Sequence, residues 1–148
     1  MNTAIFPGTF DPFTIGHENI VRRGLTLFDS IVIGVGRNAA KQTLYSAEQR
    51  KAVIEQVFHD QSRVSVVVYD GLTIELAKQV GAKFILRGVR TMADFEYEQQ
   101  MAAANRQLAD IETVLLFTEP QLAHISSSLL RDLHSHDYDI SKFLPRSC

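Results

Sequence analysis

Cysteine is almost missing from this 148-residue chain: its one copy is the terminal Cys148, which leaves no intrachain disulfide and fits a reducing compartment. A dominant charge is missing too. Fifteen Lys and Arg stand against seventeen Asp and Glu, a formal net charge of −2. Without a basic field, nucleic acid is not expected as the main partner. No run approaches eighteen apolar residues, and Met1-Asn2-Thr3 opens no basic segment followed by a long apolar core. Neither a membrane span nor a secretory leader is therefore expected, and the chain reads as soluble and cytoplasmic. Repeats, low-complexity tracts and linkers are absent. With 45% apolar and 22% charged residues over this length, one globular domain spanning 1–148 is expected.

What the chain does have is alternation of short apolar runs with amphipathic segments. Strands are expected at Thr3–Phe6, Ser30–Gly36, Val64–Tyr69, Lys83–Arg87 and Thr113–Phe117. The second is apolar without alternation, as when both sheet faces are covered. Helices are expected from His17 to Phe28, with Val21, Leu25 and Phe28 facing the core, and from Ser46, where Gln49 completes a capping box. Val53, Ile54, Val57 and Phe58 form the second helix's apolar stripe. Further helices are read at Leu72–Val80, stopped by Gly81, at Ala93–Leu108 with Tyr97, Met101, Ala104 and Leu108 on one side, and from Ser126 to His134. Five strands alternating with helices imply an α/β fold, a doubly wound parallel sheet with helices on both faces.

The most informative stretch is Pro7-Gly8-Thr9-Phe10-Asp11-Pro12-Phe13-Thr14-Ile15-Gly16-His17, a strand-to-helix connection with two Pro, two Gly and two Thr. Such loops lie where open α/β sheets bind ligands. The helix start after it offers unpaired N–H groups and a positive dipole end to an anion, with His17 beside them. The other connections add Lys41, Arg87, Arg90 and the Ser126-Ser127-Ser128 run, all suited to phosphate. No spacing suggests a covalent nucleophile or a metal cluster. Phosphoryl and nucleotidyl transfers need alignment and charge stabilisation more than covalent help. By residue type alone several of these groups keep a plain reading. Lys41 also suits a solvated loop, Glu98 an ordinary helix carboxylate, and Ser126 a helix cap.

Thr14-Ile15-Gly16-His17 resembles the (H/T)-x-G-H signature of the nucleotidylyltransferase superfamily, with Thr14 in place of its first His. The string Pro-Gly-Thr-Phe-Asp-Pro, the block Arg87-Gly88-Val89-Arg90 with Asp94-Phe95-Glu96-Tyr97-Glu98, and Ile125-Ser126-Ser127-Ser128 together resemble phosphopantetheine adenylyltransferases of the bacterial type. The resemblance implies a Rossmann-like sheet of order 3-2-1-4-5, which sets the first and fourth strands side by side at the switch point. It implies transfer of the adenylyl group of ATP to 4′-phosphopantetheine, with Mg²⁺ held mainly by ATP phosphates. It places His17, Lys41 and Arg90 in catalysis. ATP would contact Thr9, Phe10, His17, Gly88, Val89, Arg90, Glu98 and the stretch Leu122, Ala123, His124, Ile125, Ser126, Ser127, Ser128. The phosphopantetheine would contact Thr9, Lys41, Thr73 and Arg87. A homohexamer and feedback by coenzyme A are further implications. Adenylyl or cytidylyl transfer to another phosphate, and a nucleotide-binding module without catalysis, are the rival readings. The Arg87–Glu98 block argues against the first, and the presence of both His17 and Lys41 against the second.

Overall fold

The structure, a computed structural model, describes residues 1–38, 40 and 42–146. Strands β1 (Thr3–Gly8), β2 (Ser30–Gly36), β3 (Val64–Tyr69), β4 (Phe84–Val89) and β5 (Glu112–Phe117) alternate with helices α1 (Ile15–Gly24), α2 (Ala47–Val57), α3 (Thr73–Val80) and α4 (Met92–Ala109). Helix α5 (Ser127–Ser135) follows a 3-10 turn at Pro120–Leu122, and a second such turn covers Ser141–Phe143. All strand pairs are parallel, in the order β3-β2-β1-β4-β5. The fold class and strand order expected from the sequence are both observed.

Strand alternation divides the core between the two faces. Ala4, Phe6, Ile31, Ile33 and Leu86 pack with Ile20 and Val21 of α1 and Ile54 and Val57 of α2. Ile5, Val32 and Ile85 point the other way, against Leu76 and Ala77 of α3 and Ala109 of α4. The local signals hold where they rest on backbone chemistry. Ser46 and Gln49 form the reciprocal capping box, and Gly81 closes α3 at φ +73°.

Three expectations need correction. Helix α1 ends at Gly24, four residues early, yet Leu25 and Phe28 are still buried from the turn beyond it. Val53 is 40% exposed and stands outside the α2 stripe, which is narrower than its apolar residues suggest. The α4 stripe faces outward: Tyr97, Met101 and Leu108 are exposed, and the one buried residue of that helix is Glu98.

The feature that positions a site is an unequal pairing of β1. It pairs with β2 over six positions, Thr3 to Gly8, but with β4 only at Ala4–Phe84 and Ile5–Ile85. Beyond Ile5 the two strands part at their carboxyl ends. Pro7 lies on this stretch, and its lack of an N–H leaves one donor fewer to satisfy at the opening.

Candidate active site

The gap between β1 and β4 leads into two cavities. One of about 460 Å³ lies against the β1–α1 loop, the start of α4 and the first turn of α5. The other, about 760 Å³, lies against the ends of β2 and β3, the start of α3 and the outer face of α4. They meet along a seam of shared residues: Pro7, Gly8, Thr9, Arg87, Tyr97 and Glu98.

His17 faces the smaller cavity and is fixed by the motif that carries it. Thr14 is the N-cap of α1, and His17 stands at the third position, where a capping box carries Glu or Gln. The His17 N–H donates to Thr14 Oγ1 at 3.3 Å, and the Thr14 N–H donates back to His17 Nδ1 at 3.0 Å. Nδ1 is therefore an acceptor and the neutral ring carries its proton on Nε2. Phe10, Phe13 and Phe6 wall the ring, with centroids 5.0, 5.3 and 6.3 Å away. Burial, and then the charges of Arg87 and Arg90, hold the imidazole pKa down from 6.5 to about 3. At neutral pH this His is a fixed hydrogen-bond donor without a charge.

Arg87 occupies the seam and closes the gap left by unpaired β1. Its Nη1 donates to the Pro7 carbonyl at 2.7 Å, a bond across 80 residues of sequence. Nε and Nη2 meet the Glu98 carboxylate at 2.9 and 2.8 Å. Glu98 is buried, so its charge is matched by Arg87, as a buried carboxylate requires. Arg90 lies in the smaller cavity, tied to Asp94 by its backbone N–H at 3.1 Å and its Nε at 3.4 Å.

The three serines each have an internal partner. Ser126 Oγ caps α5 by accepting the Leu129 N–H, Ser127 Oγ donates to the Pro12 carbonyl at 2.8 Å, and Ser128 Oγ accepts from Arg131. Arg131 also donates to the Asp11 carbonyl at 3.0 Å. Helix α5 is thereby bolted to the β1–α1 loop. What its first turn presents to the cavity is the dipole end and the O–H groups of Ser126 and Ser128, which act only as acceptors in these bonds.

The structure brings together Thr9, Phe10, His17, Arg87, Gly88, Arg90, Glu98, Leu122, Ile125, Ser126, Ser127 and Ser128 at the smaller cavity, and Thr73 at the larger. Val89, Ala123 and His124 do not line either cavity. Val89 is buried in β4, its carbonyl taken by the Thr118 N–H, and His124 is exposed with its ring edge-on to Phe143. Phe10 lies at the smaller cavity with its buried ring backing His17. Lys41 lies outside the described residues. Reading by residue type missed Asp11, Arg50 and Arg131, which hold the loops without facing the cavities. Asp11, between Phe10 and Pro12, and Arg131, after Leu130, are charges beside apolar neighbours, whereas Arg50, between Gln49 and Lys51, has no such signal.

Two cavities at the switch point of a doubly wound sheet, joined at Arg87, with a neutral donor and Arg90 in the smaller one, suit a nucleotidyltransferase of the Rossmann-like α/β class. Residues 5–133 match the model of the cytidylyltransferase-like family. A phosphopantetheine adenylyltransferase from Bacteroides thetaiotaomicron is 53% identical over 145 residues, 98% of this chain and 96% of that protein. One from Flavobacterium johnsoniae is 52% identical over 98% of this chain and 95% of its own length. The chain belongs to the phosphopantetheine adenylyltransferase family. A bifunctional NMN adenylyltransferase/ADP ribose pyrophosphatase from Francisella tularensis shares the fold, with a TM-score of 0.79 at 16% identity. This chain covers 46% of that longer protein.

Proposed function

We propose that the cleft transfers the adenylyl group of ATP to 4′-phosphopantetheine, giving dephospho-coenzyme A and pyrophosphate. The observation that carries this reading is the pair of cavities meeting at Thr9 and Arg87, one for each substrate of an in-line transfer. An oxygen of the acceptor phosphate attacks the α-phosphorus, the bond to the bridging oxygen breaks, and pyrophosphate leaves with that electron pair. His17 Nε2–H donates to a non-bridging α-phosphate oxygen as charge develops on it. Arg90 and the first turn of α5 receive the departing phosphates, and Arg87, with Lys41, the acceptor phosphate. Glu98 serves this scheme by holding Arg87, a different role from direct contact with nucleotide.

Among the described residues no group of three or more His, Cys, Asp or Glu converges on a point, and Asp94 and Glu98 face Arg90 and Arg87. This donor set suits phosphate, so Mg²⁺ would enter on the ATP phosphates. When bound, the ion neutralises charge spread over those oxygens. No helix among the described residues is long and apolar enough to cross a membrane, and a cytoplasmic site belongs to the same reading. Homo-oligomerisation is supported by the outward apolar face of α4, and a hexamer by the family resemblance alone. Coenzyme A, which shares pantetheine and adenosine parts with the substrates, would compete at the same cleft.

The deciding assay is pyrophosphate release from ATP and Mg²⁺ with 4′-phosphopantetheine, with nicotinamide mononucleotide and with no acceptor. Release dependent on 4′-phosphopantetheine is expected. Equal rates in all three refute the assignment.

A further inference from the structure

Two buried charged side chains join the β1–α1 loop to the segment after β2. Asp11 is 1% exposed, and its carboxylate accepts the N–H groups of Leu44 at 2.8 Å and Tyr45 at 3.1 Å. Arg50 of α2 is 4% exposed and reaches the opposite way. Its Nη1 donates to the carbonyls of Thr9 at 2.6 Å and Gly36 at 3.1 Å, and its Nε to that of Tyr45 at 3.1 Å. Both ends of the segment 37–43 are thus fixed to the same short stretch, Thr9 to Asp11.

Among the described residues the hydrogen-bond partners of Arg50 are all backbone carbonyls. Burying a guanidinium is costly, and here the cost is offset by a rigid fork that meets three acceptors from three parts of the chain. Desolvation lowers its pKa, and the nearby charge of Asp11 is the main opposing influence. Neither residue lines a cavity. What they hold does: Gly36, Arg37 and Asn38 line the larger cavity, and Thr9 lies on the seam. The nucleotide side of the β1–α1 loop has separate ties, from Arg131 to the Asp11 carbonyl and from Ser127 to the Pro12 carbonyl. Loosening the carboxylate and the guanidinium would leave those ties in place.

We infer that Asp11 and Arg50 are positioning residues for the acceptor side of the cleft, a latch that sets the 36–38 wall of the larger cavity against Thr9. The inference rests on the larger cavity's being the acceptor's.

The test is steady-state kinetics of Asp11→Asn, Arg50→Lys and the double variant, varying ATP and 4′-phosphopantetheine separately, with ATP affinity measured by calorimetry. Each single variant is expected to raise the acceptor KM about tenfold while ATP affinity stays within about twofold. The double variant is expected to be no worse than the poorer single, because both changes open one latch. Folded single variants with an unchanged acceptor KM, equal losses for both substrates, or independent effects in the double variant overturn the inference. Asn is isosteric with Asp, so Asp11→Asn carries the test if Arg50→Lys does not fold. A wild-type protein inactive with 4′-phosphopantetheine is a separate result, which removes the proposed function itself.

Discussion

The Thr14 N–H donates to Nδ1 of His17 at 3.0 Å, and that one bond decides which ring nitrogen carries the proton. Replacing His17 with Ala removes the Nε2 donor, together with the ring's half of the capping box. The expected result is a loss of kcat of about 10²–10³ with the Kd for ATP changed less than about twofold. Nitrogen NMR of the wild-type ring should show Nδ1 bare and Nε2 protonated. A proton found on Nδ1 would contradict the role.

The same environment makes His17 a pH-dependent liability for stability. Its folded pKa of about 3 lies below the unfolded value of 6.5, so the unfolded chain binds the extra proton between them. Stability from this group is complete above about pH 6.5 and falls by about 1.4 kcal/mol per unit as the pH drops toward 3. Denaturant unfolding of wild type and His17→Gln at pH 7 and pH 5 isolates the effect. The difference between them should shift by about 2 kcal/mol against the wild type at pH 5. An unchanged difference means that the imidazole titrates normally.

Most of this architecture could be read from the chain because local rules and global fold agree in it. β2 and β3 have the limits their apolar runs suggest, Ser46 and Gln49 cap α2, and Gly81 stops α3. The cleft was legible as a set of phosphate-binding residue types on successive βα connections. Two things were not. The partners of Glu98 and the three serines are tertiary, and no periodicity shows that Arg87 would take the carboxylate or Pro12 a hydroxyl. The α4 stripe has helical spacing, but spacing does not say whether a face meets its own sheet or the outside.

Glu98 gives a direct contrast between holding and contacting. In Glu98→Gln, Arg87 loses its charge partner in a half-buried site, and a destabilisation of about 2 kcal/mol is expected. Acceptor affinity should fall more than ATP affinity, because the guanidinium freed from Glu98 is the group assigned to the acceptor phosphate. Parallel titrations of both substrates decide this, and a loss confined to ATP would return Glu98 to the nucleotide.

Leu108 is 70% exposed and Tyr97 60%, on the same outward face of α4 as Met101. These residues also line the larger cavity, and an apolar stripe that the chain's own elements leave uncovered suits a second copy beside it. Sedimentation equilibrium should find an oligomer of the wild type and a smaller species for Leu108→Glu. A wild type that sediments at the 16.6 kDa of one chain excludes assembly through this face.

Gly8 shows how little space separates the sheet from catalysis. A Cβ at Gly8 would sit 2.7 and 2.8 Å from atoms of the Phe10 ring. Phe10 has little freedom to yield: its backbone is already at φ +55°, and its ring is buried between Phe6, Phe13 and His17. Gly8→Ala should therefore push Phe10 into the imidazole and tilt Nε2 from its aim. Overpacking of this kind costs about 1–3 kcal/mol in stability. Misplacing a donor lowers kcat by about 10²-fold. Chemical shifts of the His17 ring report the displacement independently of turnover. A variant with the wild-type kcat and an unmoved His17 resonance shows that the aromatic wall gives way without carrying the imidazole along.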